Sequence, residues 1–100
     1  MEHRPIARGL AAEIYDLLIE ECGAPERYRQ DFVDSVTDVT EPCHEYRFQG
    51  ALGFGGKFRN NGNHDNTPYV DCYPEDENPA RRGMMDRANT RLAGLLASRD

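Results

Sequence analysis

Three spots in this 100-residue chain carry the residue types that bind metals or attack substrates: Cys43-His44, His64-Asp65 and Cys72. A sheet brings such residues together across strands, so zinc is the first chemistry to weigh. Zinc sites legible in a sequence show CxxC or HxxxH spacing, and none of these pairs has it. Buried thiols and surface imidazoles are the plainer reading, and no metal is expected. A thiol–imidazole couple of Cys72 with His44 or His64 is the available nucleophilic arrangement, but nothing in the spacing sets the two groups side by side. The serines are Ser35, inside a helical segment, and Ser98, in the tail. The carboxylates of VDCYPEDE suit a helix cap better than a general acid and base. No set fills the roles of nucleophile, base and oxyanion donor. The sequence therefore predicts no catalytic residue, no cofactor and no enzymatic activity.

The stretch GALGFGGKFRNNGNHDN, residues 50–66, holds five glycines and a lysine, the ingredients of a phosphate-cradling loop. A P-loop ends in Gly-Lys-Ser/Thr, because its hydroxyl reaches the magnesium ion. Here Gly56-Lys57 is followed by Phe58, and the position five before Gly56 is Ala51. The dinucleotide fingerprint fails as well, since Gly53-Phe54-Gly55 leads to Lys57 and Phe58 and no βαβ unit presents it. The glycines are expected to bend the chain.

The elements that position these residues follow from periodicity. Ile6, Leu10, Ile14, Leu17 and Leu18 form one helical stripe that opens at Pro5 and stops at Gly23 in a left-handed cap. Pro25 opens a second helix with Tyr28, Phe32 and Val36 four apart and Val33 beside them, fading between Thr37 and Pro42. The period then changes to two. Tyr46, Phe48, Leu52, Phe54 and Phe58 alternate with polar or small residues, as in a half-buried sheet. NNGNHDNTP reads as an exposed hairpin loop. PYVDCYP follows as a third strand with Val70 and Cys72 facing away from Tyr69 and Asp71. Pro79 stands in the first turn of a last helix, capped by Asp76 or Asn78, with a stripe of Met84, Met85, Ala88, Leu92, Leu95 and Leu96. The expectation is one α+β domain over residues 1–100. It has two N-terminal helices, a short three-stranded antiparallel sheet and a C-terminal helix packed on the sheet.

Charge and composition narrow the partners. Apolar residues make up 38% and charged residues 30%, an ordinary globular balance, with a formal net charge of −6. Residues 1–45 hold eleven acids against four arginines, whereas residues 46–100 hold seven acids against eight bases. An acidic first half repels phosphate backbones, so no direct nucleic-acid contact is expected and a basic protein surface is the natural complement. No apolar run approaches the ~20 residues of a membrane span, and the start reads as an amphipathic helix rather than a signal peptide. Three widely spaced cysteines suit reduced thiols in a cytoplasm.

Glu13, Asp16 and Glu20 share one side of the first helix, off the apolar arc. Asp31, Asp34 and Asp38 repeat the spacing on the second. If the two helices pack antiparallel, these six acids present one negative surface for a partner, the alternative being two ordinary solvated faces. Arg81, Arg82, Arg87 and Arg91 on the last helix read as a solvated face. A secondary candidate surface lies in the glycine–asparagine stretch, at Phe54, Lys57, Arg59, Asn60, Asn61, His64 and Asp65.

EYRFQGALGFGGKFRNN followed by PYVDCYPEDENPARRGMMDRANTRLAGL resembles a recurrent pattern in small phage-encoded proteins. In these an aromatic strand, LGFGGKF, a loop, a YVxCYPED strand and a C-terminal helix follow one another. The resemblance covers about the last 55 residues and brings no assigned activity. What it implies is a phage or prophage product working in the cytoplasm of a bacterial host. The function expected is inhibition of a host or defence protein by binding, as many anti-CRISPR proteins act on nucleic-acid-handling complexes. The alternatives are a homodimeric structural or assembly accessory formed through a sheet edge or the glycine strand, and a nucleotide or nucleic-acid module using Phe54, Lys57, Phe58 and Arg59.

Overall fold

The computed structural model describes residues 6–38, 40, 45–50, 55–60, 68–73 and 79–98. Helix α1 spans Arg8–Cys22, a 3-10 turn covers Glu26–Tyr28, and α2 spans Arg29–Thr37. Strands β1 (Glu45–Gln49), β2 (Gly55–Arg59) and β3 (Tyr69–Tyr73) follow, and α3 (Pro79–Ala97) closes the order. The architecture is α+β, as the change of period from 3.6 to 2 requires. Pro5 and the expected caps Asp76 and Asn78 lie outside the described residues, as do Leu52 and Phe54.

Helix α1 buries Ala11, Ile14, Tyr15, Leu17, Leu18 and Cys22. It ends at Gly23, whose φ of 71° and ψ of 27° form the expected left-handed cap. The Gly23 and Ala24 amides donate to Ile19 and Leu18, closing the helix end. The chain then turns tightly, and the Tyr15 hydroxyl donates to the Pro25 carbonyl at 2.6 Å to hold that turn. Pro25 opens a 3-10 turn rather than the second α-helix itself, which starts at Arg29. At three residues per turn, the 3-10 geometry takes Tyr28 off the apolar stripe. Tyr28 is 45% exposed, with the Arg27 guanidinium 4.7 Å from its ring centre. Phe32, Val33 and Val36 are buried. The Ile6 amide donates to the Val36 carbonyl at 2.8 Å, tying the entry of α1 to the end of α2.

The sheet has the order β1-β2-β3, antiparallel throughout. Tyr46 lies opposite Phe58, and Phe58 opposite Val70; Phe48 lies opposite Gly56, and Gly56 opposite Cys72. Even-numbered strand residues thus face the helices: Phe48, Phe58, Val70 and Cys72 are buried and Tyr46 packs against them. Helix α3 lies against both β3 and α1 through Met84, Met85, Ala88 and Leu92, with Leu95 and Leu96 half-buried.

Two details show how finely the sheet is fitted. A Cβ on Gly56 would come within 2.5 Å of the Phe48 ring, so glycine is what lets that ring lie across β2. On the outer side of β3, the Asn89 side chain accepts from the Val70 amide at 2.8 Å and donates to the Val70 carbonyl at 2.9 Å. The Cys72 amide donates to Asp71 Oδ1 at 2.8 Å. Helix α3 thus supplies, with one side-chain amide, the pairing that a neighbouring strand would give.

Two glycine substitutions should therefore move stability in opposite directions. Gly56→Ala forces the Phe48 ring to shift and should cost about 1–3 kcal/mol. Gly94 is exposed in α3, and a methyl group added there would meet nothing within 4 Å. Gly94→Ala should gain roughly 0.5–1 kcal/mol. Urea unfolding of both variants checks the pair; a neutral Gly56→Ala would refute the ring contact.

Candidate functional site

Helices α1 and α2 do pack against each other, and the six candidate acids are all engaged. Asp16 forms a fork with Arg29, which donates from Nε at 2.9 Å and from Nη2 at 3.0 Å. Glu20 accepts from Arg91 of α3 at 2.8 Å, and the same guanidinium donates to Glu21 at 2.9 Å. Arg87 stands 3.8 Å from Glu21. Part of the α3 arginine set, which reads in the sequence as a solvated face, is therefore the counter-charge of α1. The signal is not local: Arg91 and Glu20 are 71 positions apart.

The α2 acids have a different set of partners. Asp31 accepts from the Tyr46 hydroxyl at 2.6 Å, a neutral donor that leaves its charge in place. Asp34 accepts from Gln30 at 2.9 Å and lies 3.0 Å from Arg8, with more than half of each charged side chain exposed. The Gln30 bond, then the Arg8 bond, holds the Asp34 carboxyl below the usual range. Asp38 accepts from the amide and hydroxyl of Thr40. Exposed pairs of this kind contribute ~1 kcal/mol or less. They set side-chain geometry more than stability.

Between α1 and α3 runs a shallow groove of about 240 Å³ lined by Glu13, Asp16, Leu17, Arg91 and Leu95. Leu17 is buried and Leu95 half-buried, so what the groove exposes is mostly polar: the Glu13 and Asp16 carboxylates and the Arg91 guanidinium. Its three charged positions come from two helices far apart in sequence, and Leu95 looks in the sequence like an ordinary core residue.

Of the secondary candidates, Phe54, Asn61, His64 and Asp65 lie outside the described residues. Lys57 and Arg59 are half-buried on the sheet face opposite the helices, and Asn60 is buried. Arg59 donates to Glu45 at 2.9 Å, and Arg47 to the same carboxylate at 3.0 Å. Burial works to raise the Glu45 carboxyl, but the two arginine bonds outweigh it and hold it below the usual range. Phe58 is fully buried and takes no part in any surface. β2, the glycine strand, is the central strand, with its backbone paired on both sides.

Among the described residues, no three metal-ligating side chains are placed to share an ion; Cys43, His44 and His64 lie outside them. The hydroxyls of Ser35 and Ser98 donate to backbone carbonyls of Asp31 and Leu95. Cys22 and Cys72 are free thiols with no exposure. Burial, followed by the nearby Glu21 charge, pushes the Cys22 thiol up to about 12. No described helix is long and apolar enough to cross a membrane. Neither a protein-family model, nor a curated protein, nor a solved structure matches the chain.

The Cys22 thiol makes stability fall on the alkaline side. Above pH 9 the unfolded thiol ionises while the folded one stays protonated, until pH reaches about 12. In that window the unfolded state binds fewer protons, so unfolding free energy should drop by up to ~1.4 kcal/mol per pH unit from this group. The Tyr15 hydroxyl, raised by burial and then by Asp31, acts in the same direction. Urea titrations across this range should show Cys22→Ala with the shallower slope. Equal slopes would mean that the folded thiol ionises normally.

Proposed function

We propose that the chain works by binding, without catalysis, to a basic surface of another protein. The observation that carries this reading is the groove between α1 and α3. A lysine or arginine of the partner can lay its stem on the half-buried Leu95 and bring its charged head to Glu13 and Asp16, competing with Arg29 for Asp16 while Arg91 stays turned to Glu20 and Glu21. Alongside it, the exposed α2 row of Asp31, Asp34 and Asp38 supplies the longer-range field. Coulomb attraction of this kind acts at encounter and speeds association more than it adds affinity.

The phage setting implied by the strand–loop–helix resemblance gives the partner its class. It is a host or defence protein of the bacterial cytoplasm that handles nucleic acid and so exposes a basic surface. Occupying that surface would inhibit it. For the homodimeric accessory, β2 is central and the outer amides of Val70 and Cys72 on β3 are already satisfied within the chain, so strand pairing would fall to the outer edge of β1.

Two sets of variants test the reading. Asp31, Asp34 and Asp38 changed together to Asn keep shape and the Tyr46 bond while removing three charges. Association with the captured partner should slow by roughly ten-fold or more, and its salt dependence should flatten. Glu13→Gln with Leu95→Gln should instead speed dissociation, because these residues form the groove. If both sets bind as fast and for as long as the parent chain at low salt, the helical layer is not the contact.

A further inference from the structure

We propose that the sheet face turned away from the helices binds single-stranded nucleic acid. Even-numbered strand residues are committed to the core, so the pleat puts Glu45, Arg47, Lys57, Arg59, Tyr69 and Asp71 on the opposite face. The register sets Arg47 directly across from Lys57, and Arg59 across from both Glu45 and Tyr69. Neighbouring strands lie about 4.8 Å apart and alternate residues on one strand about 6.6 Å apart. Three cations therefore stand close together on one small surface.

The two carboxylates on this face are already answered. Glu45 is shared between Arg47 and Arg59. Asp71, directly across from Lys57 in the register, is held by Arg82, reaching over from α3, and by the Cys72 amide. Counting Arg82, the face carries four cations against two carboxylates, in a chain whose formal net charge is −6. The half-chain charge count that disfavours nucleic acid averages over surfaces that the fold keeps apart. The helical acids lie behind the sheet, Asp31 joined to it by the bond from Tyr46, and salt in the surrounding water weakens their field at this face.

Arg59 adds a second, independent sign. Its Nη1 donates to Glu45, but its Nε is buried and has no hydrogen-bond partner among the described residues. Turning this guanidinium toward a phosphate oxygen would satisfy Nε, while Glu45 keeps the bond from Arg47. Tyr69, half-buried across the strand from Arg59, provides a ring on which a base can stack. A face with Arg59 beside an aromatic ring and Lys57 and Arg47 further along fits an unpaired strand, whose bases are free to stack. This surface uses none of the acids of the proposed protein contact, so either reading can fail alone.

The probe is a fluorescent oligothymidylate of about ten nucleotides, within the length a small fold covers, followed by anisotropy from about 50 to 200 mM salt. The parent chain should bind saturably at low salt, with a log–log salt slope near −2 for three phosphate contacts. Arg47→Gln with Lys57→Gln should weaken binding roughly ten-fold and flatten the slope by about 1.4. Tyr69→Leu should weaken it with the slope unchanged, because stacking releases no counterions. Arg91→Gln, on the helical side, should change nothing, and circular dichroism checks that each variant is folded. The proposal is overturned by no saturable binding at low salt, or by Arg91→Gln costing as much as the sheet pair. Poly-glutamate competing as well as the oligonucleotide would overturn it too, marking the face as an acidic-peptide surface.

Discussion

The fold turns on one aromatic ring. Phe32, fully buried on α2, has the Tyr15 ring of α1 at 5.1 Å, the Tyr46 ring of β1 at 5.1 Å and the Phe58 ring of β2 at 5.2 Å between centroids. The contacts with Tyr46 and Phe58 are edge-on, at 87° and 75°, the arrangement that ring quadrupoles favour. Each tyrosine puts its apolar body on Phe32 and carries its hydroxyl outward to an acceptor, Pro25 in one case and Asp31 in the other. Four elements are thereby referred to a single side chain. The two candidate surfaces, one on the helices and one on the sheet, are held back to back by that cluster.

The electrostatics follow from this layering. α3 brings Arg87 and Arg91 to the acids at the end of α1, so the chain supplies part of the complement that its acidic first half demands. The charge is unevenly placed: the α2 carboxylates are interleaved with the exposed Arg8, Arg27 and Arg29, whereas Arg47, Lys57 and Arg59 stand on the far side of the sheet. Net charge alone says nothing of this, because it is a sum without positions.

How far the sequence is legible depends on the range of the interaction. Local signals carry through: the Gly23 cap, the change from a helical period to alternation, and the parity that buries Phe48, Phe58, Val70 and Cys72. Tyr28 departs from the expected stripe because a spacing of four assumes an α-helix, and Pro25 begins a tighter turn. The glycine run is explained at Gly56 by a ring lying on the opposite strand, a contact that requires register and not composition. The candidate acids are visible as residues, but their counter-charges are not. Arg91 meets Glu20 only after the whole sheet has been threaded between them.

The two bonds between Asn89 and Val70 bear on how α3 sits. Apolar contacts are non-directional and tolerate sliding, and the methionines of this helix are adaptable side chains. A slip of one residue along the helix would carry the Asn89 amide through about 100° and 1.5 Å, stranding a donor and an acceptor of β3 at once. Asn89 thus works as a key in a slot, converting a greasy seam that admits many neighbouring alignments into one that admits a single alignment. The positions of Arg82, Arg87 and Arg91 around the rim of the molecule are set by that key.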